Sequence, residues 1–130
     1  MERIAKQVIV MRKDLNMRKG KMVSQGAHAS MKAILDWSTS EKNGLFTELP
    51  EGSALKSWLD GLFTKICLSV DSEEELIDLY DKAKESGLMV AMITDAGLTE
   101  FNGVPTKTCI AIGPDWTDQI DPITKHLKLL

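Results

Sequence analysis

The sequence predicts an α/β protein, a three-layer α/β/α sandwich in which a four-stranded mixed sheet has helices on both faces. Four short runs of apolar and β-branched residues, typical of buried strands, alternate with segments whose apolar residues recur at helical spacing. The connection between the last two runs is short and lacks a helix, which indicates at least one antiparallel pair. Because 130 residues can bury one substantial core, we expect a single domain over residues 1–130.

The first part of the chain predicts a strand, a long helix and a loop, in that order. The run at 7–11 (QVIVM) is almost continuously apolar, as in a buried central strand. A helix is expected over about 19–37, because small and apolar side chains recur there on one face. The segment 38–53 is polar and interrupted by glycine and proline, so we expect a loop inserted into the domain.

The rest of the chain is expected to complete the sheet and to add three helices. The strongest helix signal is at Ser72, because Glu75 completes a capping box and the acidic first turn suits the helix dipole. Gly87 is expected at the end of this helix. Strands are expected at 63–70, 88–94 and 106–112, the last closed by Gly113 and Pro114, and short helices at 54–59 and 117–120.

Composition excludes several classes of protein. No apolar run approaches the roughly 20 residues of a membrane span, and the N-terminal run is too short for a signal peptide. The two cysteines, Cys67 and Cys109, lie in apolar runs, so we expect buried, reduced thiols in a cytoplasmic protein. The net charge of −3 argues against a general nucleic-acid coat protein.

Positive charge is concentrated at one end of the chain. Residues 1–33 carry eight Lys or Arg against two acidic residues, whereas 34–104 carry five against fourteen. This asymmetry indicates one local anionic partner, although a solvated basic surface would have the same composition. The cations cluster where the first strand passes into the first helix, and a helix N-terminus is a favourable place for an anion. They are Arg12, Lys13, Arg18, Lys19 and Lys21.

Polar side chains from two strand ends and one helix are expected to meet in a cleft. Asp14 and the basic turn follow the first strand, and Asp95 and Thr99 follow the third. Ligands of such sheets bind beyond the carboxyl ends of the strands. Lys21, Gln25 and His28 are spaced at i, i+4 and i+7, which puts them on one stripe of the first helix. A stripe of polar residues that merely faces solvent would show the same spacing.

Several common sites have no signature in this sequence. Leu15 and Met22 stand where a phosphate-binding P-loop needs a glycine and a hydroxyl. The His and Cys residues are too scattered for a zinc site, and no Gly-x-Ser-x-Gly elbow is present. An aromatic content of 5% leaves few platforms for stacking bases along a single strand.

Three separated motifs occur in a fixed order along the chain. They are Arg12, Asp14, Leu15, Met17, Gly20, Lys21, Gln25, His28 and Ala29, then 95–100 (DAGLTE), then Thr108 and 112–114 (IGP). In these motifs the chain resembles the second type of peptidyl-tRNA hydrolase, found in archaea and eukaryotes. The resemblance covers nearly the whole chain except 38–53.

The resemblance implies an enzyme that hydrolyses the ester bond between a peptide and the terminal ribose of tRNA, which recycles tRNA from aborted translation. It implies no metal or other cofactor, frequent homodimers, and a cytoplasmic protein whose partner is peptidyl-tRNA rather than DNA or a membrane. The site residues that it implies are Lys21, Gln25, His28, Asp95, Thr99 and Thr108.

Physical roles for these residues are hypotheses at this stage. Lys21 would stabilise the negative charge that develops on the carbonyl and ribose oxygens, and Asp95 would hold Lys21 or orient the attacking water. The threonine hydroxyls would position water or the carbonyl. His28 and Gln25 would add hydrogen bonds, although a purely structural role for His28 is equally compatible with its position.

The other basic residues, Arg12, Lys13, Arg18 and Lys19, would contact tRNA phosphates. Two other functions remain open from the sequence. One is a non-catalytic module that binds RNA or another partner on the same scaffold. The other is an α/β enzyme that binds a small phosphate-containing molecule.

Overall fold

The structure is a computed structural model that describes residues 3–40 and 49–130, without the side chains of residues 39 and 40. Strands and helices alternate along most of the chain, as the sequence predicts. The strands are β1 (Ala5–Arg12), β2 (Lys65–Val70), β3 (Val90–Asp95), β4 (Thr106–Trp116) and β5 (Lys128–Leu129). The helices are α1 (Lys19–Ser40), α2 (Ala54–Asp60), α3 (Glu73–Glu85) and α4 (Thr117–Thr124), with a 3₁₀ turn at Phe101–Gly103.

The sheet is mixed, and its strand order is β3-β4-β1-β2-β5. The pair β1–β2 is parallel, whereas β1–β4, β3–β4 and β2–β5 are antiparallel, which confirms the antiparallel pair expected between β3 and β4. The prediction of four strands is wrong, because the sheet has five strands within residues 3–40 and 49–130. The fifth consists of two residues that pair with Leu68 and Ser69 of β2, and a two-residue strand made by tertiary pairing has no sequence signature of its own.

Alternate residues of β1 belong to two separate hydrophobic clusters. Val8 and Val10 pack with Leu76 and with other residues of α3 and α4. Ile9 and Met11 pack with small residues of α1, including Ala29. Since successive side chains of a strand point to opposite faces, α1 and the α3–α4 pair cover different faces of β1.

The termini of α3 form as the sequence predicts. The Ser72 hydroxyl accepts the backbone N–H of Glu75, which confirms the capping interaction at the start of the helix. At the other end Gly87, with a positive φ of 74°, follows the cap, and Leu88 N–H donates to the Ala83 carbonyl. This hydrogen bond and the positive φ of Gly87 are those of a Schellman motif, so the helix stops where the glycine predicts.

Several predicted boundaries need correction. Helix α1 continues to Ser40 rather than stopping at 37, so the predicted loop at 38–53 is wrong for its first three residues. Half of that loop cannot be compared, because residues 41–48 lie outside the described part of the chain. Strand β4 does not close at Gly113 and Pro114 but runs through them to Trp116. Helix α4 likewise extends past 120 to Thr124.

The two cysteines differ in a way that the sequence does not indicate. Cys109 is fully buried beneath α1, as predicted, and burial raises the pKa of its thiol to about 11. Cys67 is exposed, so the prediction of a buried thiol is wrong there. The reason is that α1 packs on β1, β3 and β4 rather than on β2 in the described part of the chain.

Candidate active site

The candidate site lies at one edge of the sheet, where two strands end. Strands β1 and β3 are each antiparallel to β4, which lies between them, so they run in the same direction. Their carboxyl ends therefore meet at one edge, as expected for a ligand site in an α/β sheet. Asp95 is the last residue of β3, and Lys21 lies in the first turn of α1, the helix that follows β1.

Lys21 and Asp95 form an ion pair at the centre of the site. Lys21 Nζ donates to Asp95 Oδ1 at 2.8 Å and to Thr99 Oγ1 at 3.1 Å. The Lys21 and Asp95 side chains are only 14% and 13% exposed, so water screens this pair less than it screens a surface pair. The bond from Lys21 is the main cause that lowers the pKa of Asp95 below its ordinary value of 3.8, so the carboxylate stays ionised at neutral pH.

Two further donors hold the Asp95 carboxylate. The backbone N–H of Gly97 donates to Oδ2 at 2.8 Å, and Gln25 Nε2 donates to Oδ1 at 3.2 Å. Both bonds also favour the ionised form and lower the pKa of Asp95. With donors on both oxygens, the carboxylate has little freedom to rotate, and the Lys21 ammonium is held in one position.

Thr108 and Gln25 form a buried extension of this network. Thr108 Oγ1 donates to Gln25 Oε1 at 2.6 Å, and the two residues are 0% and 3% exposed. A β-bulge brings them together, since Ile93 pairs with Cys109 but Thr94 pairs with Lys107, which leaves Thr108 as the extra residue of β4. A bulge re-aims side chains locally, and here Thr108 points toward α1.

The loop after β3 carries features that the sequence-based prediction missed. Gly97 has a φ of +82°, and a Cβ at this position would lie 2.5 Å from the Val104 carbonyl oxygen. Phe101 and Asn102 also have positive φ values, of 67° and 51°. The Phe101 ring centroid lies 5.9 Å from Lys21 Nζ. Gly97 and the Asn102-Gly103 pair are turn signals in the sequence, but they do not indicate where the Phe101 ring lies.

His28 lies outside the network. Its side chain is exposed on α1, beside a surface depression that Thr94 also lines. Its position along the helix explains the separation: seven residues rise about 10.5 Å from Lys21, so His28 lies beside Thr94 rather than at the Lys21–Asp95 pair. The structure thus brings together five of the six predicted site residues, all except His28.

The described residues contain no cluster of three or more His, Cys, Asp or Glu side chains that could hold a metal ion. In the same ranges, no helix has the length and the apolar character needed to cross a bilayer.

The family model of the peptidyl-tRNA hydrolase PTH2 matches residues 5–130. The chain belongs to this family. A peptidyl-tRNA hydrolase of Methanocaldococcus jannaschii is 46% identical over 125 residues, which cover 96% of this chain and 99% of the relative. A peptidyl-tRNA hydrolase of Haloquadratum walsbyi is 42% identical over 124 residues, 95% of this chain and 98% of the relative. These similarities confirm the resemblance seen in the sequence motifs.

In this member of the peptidyl-tRNA hydrolase family, two of the four predicted phosphate-binding cations are already paired. Arg12 donates to both carboxylate oxygens of Asp14, at 3.1 and 2.6 Å, and its side chain is only 11% exposed. This contact raises the pKa of Arg12 and lowers that of Asp14. Arg18 Nε donates to Glu100 at 3.1 Å, although Arg18 itself is largely exposed. The other two, Lys13 and Lys19, are exposed.

Proposed function

We propose that this chain is a peptidyl-tRNA hydrolase, which cleaves the ester bond between the peptide and the terminal ribose of tRNA. The observation that carries this proposal is the contact of 2.8 Å between Lys21 Nζ and Asp95 Oδ1, in a chain that belongs to the peptidyl-tRNA hydrolase family. The contact provides a fixed cation in a partly buried cleft, which is what the hydrolysis of an ester requires.

Lys21 is the residue that stabilises negative charge in the proposed reaction. Attack of water on the ester carbonyl forms the new carbon–oxygen bond and places negative charge on the carbonyl oxygen. As the acyl–oxygen bond breaks, the charge moves to the ribose oxygen, which takes up the proton that the attacking water releases. A cation held in position beforehand stabilises both without reorganising during the reaction. Because Asp95, Gln25 and Gly97 fix this geometry, Lys21 loses little conformational freedom when the substrate binds.

Asp95 acts in this mechanism by holding Lys21 rather than by removing a proton from water. Its two oxygens already accept bonds from Lys21, Gln25 and Gly97. A carboxylate whose pKa is lowered is also a weaker base, which makes proton abstraction less effective. The Thr99 oxygen accepts from Lys21, so its own proton is available for the substrate carbonyl or for the attacking water.

Gln25 and Thr108 are positioning residues in this proposal, because burial keeps both of them away from the substrate. His28 faces the bound substrate from outside the network. Lys13 and Lys19 contact tRNA phosphates, with smaller contributions from Arg12 and Arg18, which are paired with carboxylates.

The remaining properties follow the family resemblance. We propose a metal-independent, cytoplasmic enzyme in which residues 1–130 form one domain with a three-layer α/β/α arrangement, and which forms homodimers. The separate clusters on the two faces of β1 support the layered arrangement.

The test is release of peptide from peptidyl-tRNA by the purified protein. We expect Lys21→Met and Asp95→Asn each to lower kcat/KM by roughly 10²–10³-fold while thermal unfolding shows an intact fold. Lys82→Met is the matched control, because Lys82 is exposed and lies away from the site. It is near the end of α3, and the chain passes from there to the start of β3, whereas Asp95 is at the end of β3. Turnover near that of the wild type in both site variants would contradict the mechanism, and loss of turnover on adding a chelator would contradict metal independence.

A further inference from the structure

Strand β3 is an edge strand that leads directly to the candidate site. It lies at the end of the strand order, and none of the described residues forms a strand on its other side. Its last residue is Asp95, so whatever lies along this edge also reaches the Lys21–Asp95 pair. An unpaired edge presents backbone donors and acceptors that can pair with another extended chain.

The hydrogen bonds between β3 and β4 determine which backbone groups of β3 face the free edge of the sheet. The N–H of Gly113 donates to the Met89 carbonyl at 2.7 Å, which makes this a hydrogen-bonded antiparallel pair. Such pairs alternate along a ladder, so the backbone groups of Ala91 also face β4. The N–H and C=O groups of Val90 and Met92 therefore point away from the sheet, toward the free edge.

Two depressions follow this edge and leave room for the side chains of an added strand. One, of about 610 Å³, lies between α1 and the Met92–Thr94 part of β3, with Leu35 in its lining. The other, of about 300 Å³, lies beside the start of β3 and is lined by Tyr80 and Lys84 of α3. Because side chains of a strand alternate in direction, the first depression has room for those that an added strand points toward α1, and the second has room for those near the start of β3.

We propose that the peptide part of the substrate binds as an additional strand along the free edge of β3. The proposal rests on the proposed function, since it takes the ester of peptidyl-tRNA to lie at Lys21 and Asp95. The peptide carboxyl group then lies at the carboxyl end of β3, so the peptide runs parallel to β3. Pairing through the main chain gives affinity without reading side chains. The main chain is common to all peptides, so such recognition accepts peptides that differ in sequence.

The charges along the edge favour a peptide over an RNA strand. Asp36 lines both depressions, and the Lys32 ammonium beside it is paired with this carboxylate at 3.2 Å. The other lysine in the two linings is Lys84, beside the start of β3. A phosphate backbone needs a row of unpaired cations, and a carboxylate in the groove opposes it. The backbone of a peptide is neutral and needs the hydrogen-bonding groups that Val90 and Met92 offer.

The substrate can be used to test the proposal without changing the protein. The wild-type enzyme is assayed on tetrapeptidyl-tRNAs in which one peptide amide at a time is N-methylated. Only every second amide of a strand faces its neighbour, so we expect kcat/KM to fall about three- to tenfold at alternate positions and to stay nearly unchanged between them. Losses that are equal at all positions, or absent at all of them, would overturn the proposal.

A pair of protein variants provides an independent test. Met92→Pro removes the outward N–H without removing a bond to β4, and Met92→Ala removes the same side chain but keeps the N–H. On tetrapeptidyl-tRNA, we expect kcat/KM of the proline variant to be about three- to tenfold lower than that of the alanine variant. On N-acetyl-aminoacyl-tRNA, whose acyl part is too short to reach Met92, the two variants should have equal kcat/KM.

Other outcomes distinguish failure of the strand pairing from failure of the proposed function. A Met92→Pro variant that changes from dimer to monomer in sedimentation would assign the edge to a second copy of the chain and overturn the proposal. If Met92→Pro does not fold, the N-methylated substrates decide alone. If the wild type hydrolyses N-acetyl-aminoacyl- and tetrapeptidyl-tRNA with equal kcat/KM, only the strand pairing fails. If it hydrolyses neither, the proposed function itself fails.

Discussion

The Thr108 hydroxyl determines which way the Gln25 amide points. It donates to Gln25 Oε1, which leaves the amide nitrogen to donate to Asp95. If the hydroxyl were lost, the buried oxygen of Gln25 would have no donor, and a flipped amide would place that oxygen against the Asp95 carboxylate. Leaving one buried polar group unsatisfied costs about 1–3 kcal/mol.

We therefore expect Thr108→Val to lower kcat about tenfold with little change in KM, because the substrate does not touch this residue. Thr108→Ser is the control, since it keeps the hydroxyl while removing a methyl group, and it should stay within about threefold of the wild type. Steady-state kinetics on one peptidyl-tRNA substrate checks both variants. Normal activity in the valine variant combined with loss in the serine variant would show that packing matters here rather than the hydrogen bond.

At the residue scale, the sequence predicts contacts between residues that follow strands better than contacts made by residues on a helix. The second kind depends on how the helix is rotated against the sheet. Lys21 and Asp95 are close because each follows a strand, and strands that run in the same direction end at the same edge. His28 shares the i, i+7 spacing with Lys21, but the spacing does not tell how the helix is rotated against the sheet. Burial supplies that information, since Gln25 is 3% exposed whereas His28 is exposed.

The loop between β3 and β4 is the element that carries Thr99 to Lys21. Its path depends on Gly97, which has a φ of +82° and whose hydrogen bond holds Asp95. We expect Gly97→Ala to lower kcat/KM by at least about tenfold, because a Cβ would lie 2.7 Å from the Val104 nitrogen and force the loop to move. Kinetics and the free energy of unfolding are measured together.

Gly20→Ala is the matched control for this substitution. Gly20 lies in the first turn of α1, beside Lys21, and a Cβ there would meet nothing within 4 Å. We expect this variant to keep its activity and to gain up to about 0.5–1 kcal/mol of stability, since alanine favours the helix more than glycine. If Gly97→Ala lost stability but kept full activity, the loop would not position the site.

At the element scale, strands with long apolar runs are predictable and small irregularities are not. The central runs of β1 and β4 are buried on both faces, so their composition identifies them. The bulge at Thr108 depends on how β3 and β4 pair, which neither strand encodes by itself. The same limit applies to β5, where Lys128 and Leu129 become a strand only because β2 lies beside them.

On the scale of the whole molecule, the basic and acidic segments of the sequence meet at one edge of the sheet. Strands β1 and β2 are parallel, so the basic segment after β1 lies beside the acidic first turn of α3, and Arg12 Nη1 is 3.9 Å from Glu73 Oε1. The sequence predicts an anionic partner but not which cations are available to it. Only the structure shows that Arg12 already pairs with Asp14, whereas Lys13 beside it is exposed.

This difference predicts how tRNA binding responds to salt. Each cation that neutralises a phosphate releases counterions, so binding weakens as salt rises. We expect Lys13→Ala to weaken binding of uncharged tRNA and to reduce the slope of log K against log salt by roughly 0.7–0.9, the value for one phosphate contact.

Lys82→Ala is the control on the acidic helix α3, and it should leave the slope unchanged. Titrations at four or five salt concentrations measure the slopes. A flat response of the wild type would remove the phosphate contacts altogether, and equal slopes for the wild type and Lys13→Ala would place the contacts elsewhere on the surface.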